Sequence, residues 1–262
     1  MTRALLRLLP LALLLLSACG SSPAQQRAND GHALFEDRCK NVAGIKIYKT
    51  VEDVEGIVLL KVRPKAGERE WADPMWPGAA FALEREQEGY ITSFLAYEHS
   101  SSDKPVTPLT RGYITTDYQP NNPSNLPGYR YVDLMDAATG KRERYSLAQK
   151  PRPTSKIGWI DTVLEHRLAQ ADGPQYGVTF EDHVIPEERV LGLASSTVKV
   201  LDLQTNEVLG EMKRYAWTPA KPNSASPSPW LAAYKCPGNP VGADTATRTF
   251  VDQVLKPHQV QP

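Results

Sequence analysis

Twenty-two prolines in 262 residues leave few uninterrupted stretches long enough for a helix of several turns. Each proline locks φ and removes a backbone donor, so it ends helices and settles at turns, loops and sheet edges. A chain interrupted this often is built from short elements and many loops. With 41% apolar and 23% charged residues the composition is ordinary for a globular protein, which excludes wholesale disorder and a polytopic membrane protein. The length suits one large domain or two small ones, with ample material for a buried core. Thirty basic side chains balance thirty acidic ones. No long-range field gathers phosphates, so nucleic acid is excluded as the expected partner.

Most short apolar runs read as strands. Residues 45–51 and 57–62 are rich in Ile and Val and are separated by polar turns and Gly56. Residues 91–97 and 112–118 read the same way. A hairpin is expected from 129–135 and 143–147 about Ala138-Thr139-Gly140-Lys141, and a second from 197–203 and 207–217 about Thr205-Asn206. Residues 159–169 fit both a helical stripe (Ile160, Val163, Leu164, Leu168) and alternation. The turn Asp172-Gly173-Pro174 and the strand-like 176–180 that follow favour a strand in a hairpin. Two segments read as helical: a short piece at 30–38, and 245–255. In the latter Asp244 is placed to cap, Phe250, Val251, Val254 and Leu255 form one face, and Pro257 stops the helix. Residues 218–229 hold four prolines and read as a surface loop. The two hairpins share an Asp-Leu outline, but two copies without a constant period make no propeller or solenoid. The expected fold is mainly β (α+β): an antiparallel, strand-rich single domain over residues 32–262 with a C-terminal helix.

The N-terminus carries an address. Arg3 and Arg7 give a positive start, and residues 5–16 are apolar apart from Arg7 and Pro10. That run is shorter than the roughly 20 residues a membrane span requires and reads as a secretory signal. It ends in Leu16-Ser17-Ala18-Cys19-Gly20. These residues resemble the lipobox of bacterial lipoproteins. The resemblance implies cleavage after residue 18, acylation of Cys19 with palmitate-type chains, and a stable anchor, because several acyl chains exceed the marginal one-chain case. Gly20 rather than Asp after the cysteine implies, within that family, export to the outer membrane, with the domain in the periplasm. Loss of residues 1–18 removes Arg3 and Arg7 and leaves 28 basic against 30 acidic side chains, a net of −2. The small, polar residues after Cys19, up to residue 31, read as a flexible tether.

With Cys19 acylated, Cys39 and Cys236 remain, and an oxidising compartment favours their pairing as a disulfide. Two buried free thiols are the alternative. Neither a CxxC nor an adjacent His makes this pair a metal site.

Signatures of chemistry are sparse. The five histidines lack HxxxH or HExxH spacing, and there is no GxSxG, SxxK, Walker loop or GxGxxG. No cofactor or metal is expected. Three histidines follow an acid directly, in Glu98-His99, Glu165-His166 and Asp182-His183, but on a strand such neighbours face opposite ways. His183, in a loop-like stretch, is the best placed of them. Glu187-Glu188 reads as solvated surface. The most distinctive segment is Glu70-Trp71-Ala72-Asp73-Pro74-Met75-Trp76-Pro77. Trp71 and Trp76, each near a proline, suit stacking against a glycan or peptide, or else fill a core beneath a loop. Trp230 in Ser228-Pro229-Trp230-Leu231 reads as docking the long loop. As a whole, the body resembles uncharacterised proteobacterial envelope proteins at Cys39-Lys40, Val54-Glu55-Gly56-Ile57-Val58, the Trp71–Pro77 segment and Tyr176-Gly177-Val178-Thr179. That resemblance implies no activity. The expected role is a lipid-anchored, non-catalytic envelope protein acting through partner contacts. A glycan- or peptide-binding module using Trp71 and Trp76 is the alternative, and an envelope hydrolase built around His183 is third.

Overall fold

The run Ile57-Val58-Leu59 is apolar without alternation, as suits a strand covered on both faces. It lies in β3 (Gly56–Leu59), whose four residues are all buried at the centre of the main sheet. The computed structural model describes residues 22–99, 112–116, 126–135, 139–153, 160–169, 173–221, 223, 225–238 and 243–258. Cys19 and Trp159 lie outside them.

Both neighbours of β3 run parallel to it: β6 (Tyr131–Met135) on one side and β9 (Tyr176–His183) on the other. The sheet continues antiparallel in both directions. Beyond β6 come β7 (Arg142–Pro151) and β8 (Ile160–Leu168). Beyond β9 come β10 (Leu193–Asp202), β11 (Val208–Trp217) and β1 (Gly44–Ile47). A ninth strand, β12 (Tyr234–Cys236), pairs with the far end of β11. Two further pairs stand apart: β2 (Val51–Val54) with β13 (Leu255–Pro257), and β4 (Tyr97–His99) with β5 (Tyr113–Thr115).

The strand-rich expectation holds, but the sheet is mixed rather than antiparallel. Local hairpins are antiparallel by construction, whereas β3 reaches β6 only through a long crossover. That crossover carries α2 (Glu68–Ala72), a 3-10 turn at Pro77–Phe81 and α3 (Gln87–Leu95). Two later helices follow, α4 (Pro186–Val190) and α5 (Ala246–Val254). One sheet face is covered by the 3-10 turn, α3 and α5 around Phe81, Tyr90, Phe94, Phe250 and Val254. Each such side chain taken from water contributes roughly 1.5–3 kcal/mol.

The opposite face is covered at one corner by α1 (Pro23–Asn41), through Phe35 against Leu193, Tyr215 and Trp217. Residues 23–31, expected within the tether, belong to this helix, and residues 19–21 lie outside the described residues. Ser22 accepts from the Gln25 amide at 3.2 Å, and Pro23 supplies the preset first-turn φ. Side-chain bonds Gln25–Asn29 (2.9 Å) and Gln26–Asp30 (2.8 Å) span single turns. The polar first half is helical here because the second half docks through Leu34, Phe35 and Cys39. The Cys39–Cys236 disulfide then ties the end of α1 to β12, with Cα atoms 5.7 Å apart.

Other expectations shift. Residues 91–95, expected as strand, belong to α3, where Tyr90, Ile91, Phe94 and Leu95 form a buried helical stripe. Residues 160–168 are a strand, but its partner is β7 rather than 176–180, which β3 and β10 flank. Both expected hairpins are present. The C-terminal helix is present too, with Thr245 rather than Asp244 at its N-cap. Asp244 instead accepts from Arg85 Nε at 2.8 Å.

Candidate functional site

The register of three strands determines what meets on the helix-covered face. Ser196 of β10 lies opposite Asp182 of β9 and Arg214 of β11, so one row carries two charges inward. Arg63, on the chain leaving β3, closes over that row. Its Nη1 donates to both Asp182 oxygens, at 2.8 and 3.0 Å. Its guanidinium lies 3.7 Å from the Phe180 ring centre and 4.4 Å from that of Phe81. Such stacking suits a planar, weakly hydrated cation.

Glu84 sits beside this pair, 5% exposed, and accepts from the Thr247 amide at 3.2 Å. Burial raises its carboxyl pKa to about 7, against the lowering pull of Arg63, Arg214 and the Thr247 bonds. A cavity of about 120 Å³ opens here, lined by Arg63, Trp76, Phe81, Glu84 and Asp182. Glu84 can exchange a proton near neutrality, but the space is large enough for only a few waters and falls below the roughly 300 Å³ typical of small-molecule sites.

The larger cavity, about 300 Å³, lies against α4. Its walls come from four separate parts of the chain: Arg27 and Ala28 on α1, Pro74 and Met75 after α2, residues 189–192, and the loop that follows β11 with Trp230. Trp230 is 1% exposed and donates its indole N–H to the Asp73 carbonyl at 2.8 Å, which ties the long loop to the segment after α2. Gly192 makes the tight passage possible. Its φ is +77°, and a Cβ there would overlap the Thr218 carbonyl oxygen.

Arg189 is the buried charge of this groove, 3% exposed. Its Nη2 donates to the His183 carbonyl at 3.1 Å, while its Nε and Nη1 are buried without a hydrogen-bond partner. Its guanidinium lies 5.4 Å from the Trp230 ring centre. Burial lowers its pKa to about 10, partly offset by Asp182, Asp73 and Glu188, so it stays charged at neutral pH. Half-buried Arg27 and exposed Lys221 add two more cations, and among the described residues no acidic side chain lines the groove. Met75 (42% exposed) and Val190 (68%) leave an apolar rim open to solvent.

The residues singled out by sequence land differently. Trp76 lines the smaller cavity and Trp71 lines neither, so the two indoles share no pocket of those described. The Trp71 indole N–H is buried without a partner. His183 is the last residue of β9, not a loop residue, and its Nε2 lies 3.0 Å from Thr197 Oγ1. Its neighbour Asp182 faces the other side, toward Arg63. Glu188, expected on the surface, is 8% exposed and accepts from Arg38 Nε and Nη2 at 3.2 Å. Nothing in the sequence marks Arg189 or Arg63, because a lone arginine carries no spacing signal. Trp230 was visible as a docking residue, and the groove it walls was not. Among the described residues no three His, Cys, Asp or Glu side chains form a metal-holding group, and no helix is long and apolar enough to cross a membrane. No family model, curated protein or solved structure matches the chain.

Proposed function

We propose that the chain is a lipid-anchored envelope protein that acts by binding an apolar-bodied ligand or partner segment, and not by catalysis. The observation that carries the binding role is the groove against α4: about 300 Å³, with an apolar rim and a buried cation at its wall. Its dimensions match the lower end of the range for ligand sites. The anchor rests on the lipobox residues Leu16 to Cys19, and the outer-membrane, periplasm-facing location rests on Gly20. Anchor and groove are close along the chain. The helix that supplies Arg27 and Ala28 begins four residues after Cys19. A glycan or peptide site at Trp71 and Trp76 has less support, because the two rings line no common cavity.

A photo-crosslinking side chain placed at Val190 in intact cells is expected to give a discrete adduct, and the same side chain at Ile160, exposed on β8, is expected to give none. Adducts of equal yield at both positions, or none at either, would reject the binding role. In parallel, membrane-extracted protein is expected to show a mass raised by acyl chains, and Cys19→Ala is expected to abolish the increase. An unshifted mass would reject the anchor.

A further inference from the structure

The groove's chemistry is unbalanced in one direction. Its charged side chains, Arg27, Arg189 and Lys221, are donors only, and among the described lining side chains Thr218 alone offers an accepting oxygen. A peptide backbone brings donors and acceptors in equal number, and each N–H left unpaired in such a groove costs about 1–3 kcal/mol. An ionised carboxylate brings acceptors only and matches a guanidinium fork in shape and charge. Beside the cations run Met75, Val190, Leu191, Pro229 and Trp230, which offer apolar contact along the rest of the groove. Trp230 has already committed its N–H to Asp73, so it presents hydrocarbon alone. The volume suits one chain rather than two.

We propose that the groove binds a free long-chain carboxylate, with its acyl chain along Met75, Val190 and Trp230 and its head group directed at the Arg189 guanidinium. Arg189 Nε and Nη1, which carry three N–H groups between them, are buried without a partner, and a head group entering at this wall would satisfy them. Lys221 and Arg27 add charge at the mouth. The inference rests on the binding role assigned to this groove and names its ligand class.

The test uses the full acylated protein in phosphatidylcholine vesicles with a diazirine-bearing palmitate, followed by peptide mapping of the photo-label. Label is expected on the peptides containing Met75, Val190 and Trp230, displaced by oleate and not by methyl oleate. Val190→Glu, at an exposed position that the fold tolerates, is expected to reduce labelling about tenfold, as is Arg189→Lys, which keeps the charge and loses the fork. An unchanged unfolding midpoint in Val190→Glu separates lost binding from lost structure. Label spread evenly over the surface, or equal displacement by methyl oleate, overturns the proposal. Label that appears only in Cys19→Ala also overturns it, because the groove then holds the protein's own acyl chains. A Val190 adduct in cells without palmitate labelling removes the ligand class and leaves the binding role standing, while loss of both removes both.

Discussion

At Glu84 a side chain that would be unremarkable in water becomes a titrating element of the core. Burial raises its pKa from 4.5 to about 7, although Arg63 and Arg214 pull the other way. The folded state therefore holds this proton more tightly than the unfolded chain does. Stability attached to the group is fully present below pH 4.5 and is lost as pH rises to about 7. The full shift corresponds to roughly 3 kcal/mol. Stability measured by urea unfolding is thus expected to fall between pH 5 and pH 7.5 in the parent protein relative to Glu84→Gln. Parallel pH profiles for the two proteins would show that Glu84 does not titrate in this window. Nothing in the sequence neighbourhood of Glu84, within Leu83-Glu84-Arg85, distinguishes it from a solvated acid. Its partners come from positions 63, 214 and 247, which only folding brings together. The same holds for Arg189, whose neighbours Asp73 and Trp230 lie more than a hundred residues before it and about forty after it.

Among the elements, α5 illustrates how an amphipathic signal can be right and still incomplete. Its apolar face was readable from Phe250, Val251 and Val254, all buried. Its polar face is buried as well. Arg248 is 1% exposed, donates from Nε to Asp252 at 2.6 Å and from Nη1 to the Ser93 carbonyl on α3 at 2.7 Å. Removing one partner of a buried pair strands the other charge, so Asp252→Ala is expected to cost about 3–5 kcal/mol in a urea titration. The double replacement Arg248→Met with Asp252→Ala is expected to recover part of that loss, because it removes the stranded cation. A loss below about 1 kcal/mol in the single variant would show the pair to be screened by water. At α1 the apolar stripe is confined to the second half, where Leu34, Phe35 and Cys39 dock on the sheet, and capping by Ser22 supports the polar first turns. At α3 a helical stripe passed for a strand because the run Ile91-Thr92-Ser93-Phe94-Leu95 is short and β-branched at its start.

For the molecule as a whole, the Cys39–Cys236 bridge spans 197 residues and joins α1, on one face of the sheet, to the edge strand β12. A closure of that length removes conformational freedom from the unfolded chain worth up to about 5 kcal/mol. The Cys39→Ser, Cys236→Ser double variant is expected to lose between about 2 and 5 kcal/mol of unfolding free energy, and α1 amides are expected to exchange sooner than those of β10. A change below about 1 kcal/mol would mean that α1 docks without help from the bridge. Local information in the chain was enough for short strands, two hairpins and the C-terminal helix, since each depends on side chains a few residues apart, while the Cys39–Cys236 pairing was an expectation beside free thiols until the fold brought the two together. It did not extend to the parallel placement of β3, the charge row Asp182–Ser196–Arg214 or the groove beside Arg189. Those features arise where distant segments meet. A period of two or 3.6 residues reports which face of an element is apolar, and says nothing about which other element will lie against it.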